Sequence, residues 1–536
     1  GDGRGRRWTR QAMDAAGEAV GEASAMDAAA AAAACCQAAA ALYLVGPRAA
    51  ATDDGFDAAL LERRAEEILA FSREVKALQG AASCAAASAA AVAEAPALAI
   101  PPPPNGAEVD GADVDGAVAS ARCADRGRPA RGRRAGASRL IGQWADQVAE
   151  IDSAAEQLGL GLCVAGLTLP YYACVGYRSW FIDEAFAIYR NPDARGETPI
   201  LQVLQNDFWG TSLNPPEGYV THKSYRPLVT LMYAAEWKLA ARLGFGGREM
   251  QTMRFLSCWV HSAASIAVLR LLRRLRLARR WALLGAALFA THPVHIENIV
   301  YLVGRADALS TLFSLAAVLL YLRRTCGLRP SLPAPTYAAL AALASVAGLC
   351  KEPGFTVLFF LACAELVLRC RWRHFLGLVL SFAAVGGLRT WYVGGTDAGF
   401  GYVDTPIRYQ DSKLTRTLSY LYQHAYYAKL LVLPWHQSWD YSYDALPMVH
   451  SVADVRMLAI LAAYLAVAAL AAHSLRICSR APALVLGLGL TIIPFIPASN
   501  LFFLVGTTVG ERLLYPCTVG WAALVASAGA RLSRRA

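Results

Sequence analysis

Residues 291–307 read Thr-His-Pro-Val-His-Ile-Glu-Asn-Ile-Val-Tyr-Leu-Val-Gly-Arg-Ala-Asp, which sets His292, His295, Glu297, Arg305 and Asp307 between one apolar run ending near Ala290 and another beginning near Ala308. Ionisable groups this close to hydrocarbon-grade sequence are expensive unless they line a polar cavity. Similar groups stand at the ends of other apolar runs: Asp183, Glu184, His222, Lys223, Arg226, Lys351, Glu352, Asp411, Glu511 and Arg512. Carboxylates can take a proton, and Arg and Lys can hold an anion, so the set suits a substrate with an anionic group and a carboxylate acting as base. His292 and His295 with Glu297 have spacing that a metal could use, but Pro293 between them disrupts helical geometry, and a metal is the lesser reading.

The elements that must position these groups are membrane spans. With 536 residues, 56% hydrophobic and 17% charged, and a mean hydropathy of +0.34, the chain reads as an all-α polytopic membrane protein. Runs long enough to cross about 30 Å of hydrocarbon fall near 157–175, 252–272, 281–299, 305–322, 335–350, 354–370, 374–393, 454–472, 482–498 and 513–530, about ten spans in all. Arg-rich segments at 269–280, 322–329, 368–374, 475–480 and 531–535 alternate with poorly basic ones, and the positive-inside rule puts all five in the cytosol. The net charge of +10 is then topological, and no nucleic-acid partner is implied. The opposite face receives 176–251, 291–307, 350–354, 394–453 and 499–512, which carry every ionisable group named above. Lys351 and Glu352, in Cys-Lys-Glu-Pro-Gly with almost no loop, must both stay near membrane depth; alone they would pass for an interfacial ion pair. Five such clusters on one face favour a shared polar cavity.

Residues 1–152 are rich in Ala and Gly, with Pro at 101–104 and a basic stretch before Leu140. Such sequence buries too little to offset chain entropy, and the region is expected to be disordered and cytosolic, with a short helix at 56–79. The 13 Cys show no CxxC spacing, so neither a zinc site nor a disulfide framework is indicated. No Gly-rich phosphate loop or nucleophile elbow occurs.

Several separate motifs, in order along residues 155–530, carry a family resemblance: Thr-His-Lys-Ser-Tyr-Arg-Pro-Leu at 221–228, His-Pro-Val-His-Ile-Glu with Val-Gly-Arg-Ala-Asp, Lys-Glu-Pro-Gly-Phe-Thr-Val-Leu at 351–358, and Pro-Ala-Ser-Asn-Leu-Phe-Phe-Leu-Val-Gly with Glu-Arg-Leu-Leu-Tyr within 497–515. The chain resembles the transmembrane and tetratricopeptide-repeat (TMTC) family of protein O-mannosyltransferases, within the GT-C glycosyltransferase superfamily. The resemblance implies a GT-C type domain over 153–533, with a first lumenal loop at 176–251 and a large lumenal segment at 394–453, in the endoplasmic reticulum membrane with a cytosolic N-terminus. It implies a dolichyl-phosphate-mannose donor, a lumenal acceptor protein presenting Ser or Thr, and inverting transfer with no required cofactor. Asp183 and Glu184 would be the acidic pair of the first lumenal loop, with Asp183 as general base. Arg226, Arg305, Lys351 and Arg512 would hold the donor phosphate, with His222, Lys223, Glu352 and Glu511 also lining the donor site, while His292, His295, Glu297 and Asp307 would orient the sugar or the acidic pair.

Simpler roles exist. Asp183 could cap a helix, Arg226 could anchor at the interface, and the aromatic series at 420–427, with Trp435 and Trp439, reads as an amphipathic segment lying on the membrane. The acidic pair is Asp-Glu where the family has Asp-Asp, only Asp411 remains of an Asp-Asn-Pro-Ala pattern, and no 34-residue repeat occurs, so the expected tetratricopeptide array is absent. The competing readings are a non-enzymatic lipid-binding scaffold or transporter, and a GT-C enzyme with a glycolipid acceptor.

Overall fold

Helices α1 (Ala154–Leu167), α2 (Pro227–Arg242), α3 (Glu249–Arg274), α4 (Arg279–Ala290), α5 (Arg305–Thr325), α6 (Ala334–Cys350), α7 (Thr356–Ala364), α8 (Trp372–Val393), α9 (Lys413–Val432), α10 (Arg456–Arg476), α11 (Pro482–Ile492) and α12 (Tyr515–Leu532) build the described part of the computed structural model. That part covers residues 154–534 apart from 217–220, 326–331, 370, 396–399, 439, 479 and 503; expectations for residues 1–153 and for Trp439 lie outside it. Among the described residues there is no strand, only one isolated antiparallel bridge between Asn206 and Ser212.

Among the described residues, five helical stretches are long and apolar enough to cross a membrane: Glu249–Arg274, Leu302–Thr325, Trp372–Val393, Arg456–Arg476 and Glu511–Leu532. A sixth arises if α1 and the 3-10 turn Leu169–Gly176, bent by 46° at Thr168, count as one span. The expected run at 281–299 becomes only a twelve-residue helix, because Pro293 follows closely on the end of α4 at Ala290 and opens a 3-10 turn. The runs at 335–350 and 482–498 form shorter apolar helices, and 354–370 is split into a 3-10 turn, α7 and a π-bulge at Glu365–Arg369.

The core of the bundle is formed by α3, α4, α5, α7, α11 and α12, whose small residues let backbones approach. The carbonyl oxygen of Gly487 would lie 2.3 Å from a Cβ at Gly520, so α11 and α12 can pack this tightly only because position 520 carries no side chain. In contrast, α8 and α10 present Leu376, Leu380, Leu388 and Trp391, and Leu458, Leu461 and Leu465, outward, as lipid-facing helices do. α9 is capped by Ser412, whose hydroxyl accepts the Thr415 N–H at 3.3 Å, and it buries Tyr427, Leu430 and Leu431 against Val294, Val509 and Leu514. Trp435, just beyond α9, is exposed.

Candidate active site

At one end of the bundle, side chains from four inter-helix connections meet. Arg512, opening the turn before α12, donates from Nη1 to Glu297 Oε1 at 3.0 Å and from its backbone N–H to Glu297 Oε2 at 2.8 Å. Lys351, directly after α6, reaches Asp307 on the first turn of α5 at 2.5 Å. Glu352 accepts from Arg226, just before α2, and from Arg389, near the end of α8, both at 3.3 Å. The Tyr301 hydroxyl hydrogen-bonds the Asp183 carboxylate, and Arg512 lies within electrostatic reach of both Asp183 and Asp307. Four ion pairs and one carboxylate–phenol pair thus form a connected polar patch.

The electrostatics follow from this geometry. Burial pulls the Lys351 ammonium down to about 8, against the opposing pull of Asp307. Burial works against the Glu352 carboxylate, but Arg226 and Arg389 outweigh it and hold it below the usual range. Burial raises Glu297 in spite of Arg512. Burial and the adjacent Asp183 charge push the Tyr301 phenol up, so it keeps its proton and donates to Asp183.

Below the patch a narrow cleft of about 40 Å³ opens between α5, α7, α11 and α12. Asp307, Lys351, Ser310 and Thr311 line its polar part; Leu315, Val318, Val357, Phe360, Leu490 and Val519 line the rest. A charged head over an apolar slot matches the polarity of an amphiphile with an anionic group.

Other candidate residues sit elsewhere, in structural contacts. Glu184 is fully buried and accepts from Arg254 Nη2 at 3.0 Å, Leu302 N at 2.7 Å and Phe181 N at 3.1 Å, and burial is the largest influence raising its carboxyl. Because it is Glu184 that bonds the Phe181 N–H, Asp183 is not needed to cap that turn. Arg305 is also fully buried; it donates to Glu236 at 2.5 Å and to Ser257 at 2.8 Å, and its guanidinium lies over the Tyr233 ring. His292 bonds the Leu431 carbonyl and His295 the Thr518 hydroxyl, in an aromatic cluster with Phe289, Tyr515 and Trp521 where burial lowers both imidazoles. Lys223 donates to the carbonyls of Leu213 and Val393, so it ties the end of α8 to the first loop. His222 stands exposed between Trp209 and Phe400, Asp411 is exposed, and Glu511 receives bonds from Gln437, Ser438 and Tyr441, anchoring that segment. Among the described residues, no three His, Cys, Asp or Glu side chains gather as a metal site would require.

Three participants escaped the reading of the sequence: Tyr301, Arg254 and Arg389. The two arginines carry a signal in hindsight, since each sits inside an apolar span toward the end opposite the Arg-rich segments, where the positive-inside rule gives no reason for a cation.

The turn that carries Glu297 depends on one glycine. A Cβ at Gly304 would lie 2.3 Å from the Glu297 carbonyl oxygen and 2.8 Å from Asn298 Cα, so backbone would have to move. Gly304→Ala is expected to cost about 1–3 kcal/mol, as overpacking does, and to displace Glu297 from Arg512. A lowered unfolding midpoint of the detergent-solubilised protein checks this; an unchanged midpoint would refute it.

Comparison with known proteins agrees on one family. The family model "Protein O-mannosyl-transferase TMTC, DUF1736" matches residues 394–468, the segment of α9 and the start of α10. The chain is similar to protein O-mannosyl-transferase TMTC4 of Mus musculus, 33% identical over 401 residues, which cover 66% of this chain and 53% of the relative. It is similar to the human TMTC4, at 32% over 421 residues, 70% of this chain and 56% of the relative, and to the Caenorhabditis elegans protein O-mannosyl-transferase F38B6.6, at 30% over 372 residues, 68% and 50%. The chain thus spans about half the length of these curated relatives. No solved structure matches.

Proposed function

The chain belongs to the TMTC family, and on that premise we propose that it is a protein O-mannosyltransferase that moves mannose from dolichyl-phosphate mannose to Ser or Thr hydroxyls of lumenal proteins. The same reading includes a GT-C type fold with about ten crossings and residence in the endoplasmic reticulum membrane, with the N-terminus cytosolic. The observation that carries it is the polar patch itself: a carboxylate, Asp183, within reach of the Arg512 charge, beside a cleft headed by Lys351 and Asp307.

In this mechanism the acceptor oxygen attacks the anomeric carbon from the face opposite the phosphate. Its proton passes to the Asp183 carboxylate, the bond from the anomeric carbon to the phosphate oxygen breaks, and the phosphate leaves with the electron pair, inverting the centre. Lys351, Arg512 and Arg226 stabilise the negative charge gathering on the phosphate, so the reaction needs no metal. The apolar wall of Leu315, Val318, Phe360 and Val519 takes the first units of the lipid chain. Glu297 and Asp307 keep Arg512 and Lys351 aimed.

The test is transfer of labelled mannose from dolichyl-phosphate mannose in microsomes bearing the chain. Label released from protein by β-elimination supports the proposal; label recovered only in lipid points to a glycolipid acceptor; no transfer by a folded, membrane-integrated chain overturns the enzyme reading. A pH dependence follows as well. The Lys351 proton is lost as pH rises through about 8, so kcat/KM for the donor, which reports the free enzyme, is expected to fall above that pH. In Lys351→Arg the guanidinium stays charged and that limb should vanish; an unchanged limb would remove Lys351 from donor binding.

A further inference from the structure

Cys174, in the 3-10 turn Leu169–Gly176 that ends the first span, and Cys258, on α3, place their sulfurs 3.7 Å apart, although 84 residues separate them. Both side chains are buried. Each is a free thiol here, Cys258 Sγ also facing the Tyr171 carbonyl at 3.4 Å. The pair is packed with Ile299 and beneath Tyr171 and Tyr172, one helical turn from Arg254, which holds Glu184. Bonding would bring the two sulfurs from 3.7 Å to about 2.05 Å.

The Arg-rich ends assign this end of α3 to the non-cytosolic side, where thiols meet an oxidising environment. We propose that Cys174 and Cys258 form a disulfide that staples the first span to α3 beside the Glu184–Arg254 pair. The thiolate of one cysteine attacks a disulfide of a lumenal thiol–disulfide oxidoreductase, releasing one oxidoreductase thiolate and giving a mixed disulfide. The second cysteine then attacks the first one's sulfur, closing the Cys174–Cys258 bond and releasing the other oxidoreductase thiolate. Two thiols are oxidised, one oxidant disulfide is reduced, and two protons pass to it. Burial sets the order of events: the bond closes while the two helices are pairing, before Tyr171 and Tyr172 cover it, and is afterwards shielded from reductants.

The linkage restrains the stretch between Cys174 and Asp183, which otherwise enters the site held by Arg254 through the Tyr177 and Ser179 carbonyls and Glu184. The thiol state can be read without any assay of transfer, so this proposal and the enzyme reading fail separately. The full chain in microsomes is denatured in N-ethylmaleimide without reductant, digested and analysed by mass spectrometry. A peptide pair joined through Cys174 and Cys258, absent from C174S and C258S and collapsing to two free peptides on reduction, is expected. Recovery of both cysteines as maleimide adducts from the unreduced wild-type chain would overturn the proposal.

Discussion

Asp183→Asn is expected to abolish mannosyl transfer, by about 10²-fold to 10⁴-fold, while the protein still folds. The size is that of a positioned general base. An amide can still accept the Tyr301 hydrogen bond, but it cannot take the acceptor's proton. The fold should be indifferent because Asp183 makes no buried ion pair; the adjoining Glu184 does that. Tyr301→Phe gives the graded companion. It removes the donor that orients Asp183, leaves the base in place, and should cost less than Asp183→Asn. Transfer measured in microsomes at matched expression decides: wild-type rates in Asp183→Asn would take this residue out of the mechanism and return the patch to a binding role.

The contrast between neighbours 183 and 184 shows how much of the site was legible. The all-helical class was readable from composition, and the charged connections from the alternation of Arg-rich and Arg-poor segments. That Lys351, Glu352, Asp307, Glu297 and Arg512 share one end of the bundle could be read that way. Which of two adjacent acids is half-buried and which is locked could not, because the choice depends on Arg254, 70 residues away, and on the backbone N–H of Leu302. For the same reason Arg305, which looked like a phosphate ligand, turned out to be bound to Glu236 on α2. His292 and His295 were expected to orient the sugar or the acidic pair, yet each has a hydrogen-bond partner within the helical packing. Apolar runs also overstated the number of long helices: hydropathy sees only length and composition, whereas Pro293 ends a hydrogen-bonding pattern.

The Glu184–Arg254 pair yields the largest expected effect on stability. Both side chains are fully buried, and Arg254 also donates to the carbonyls of Tyr177, Ser179 and Val300. It therefore closes the loop after the first span onto the connection that carries Glu297. Arg254→Met leaves Glu184 as an unpaired buried charge and is expected to cost about 3–5 kcal/mol, read as a fall in unfolding midpoint and as faster proteolysis of the 177–190 segment. Glu184→Gln with Arg254→Met removes both charges and should recover part of that loss, though not the three carbonyl contacts. If the single and double variants are equally unstable, the backbone bonds of Arg254 carry its contribution and the ion pair adds little. A smaller loss in Arg254→Met with transfer still abolished would mean that the pair acts chiefly by holding Asp183 in position, because the loop would remain folded while its base no longer met the acceptor.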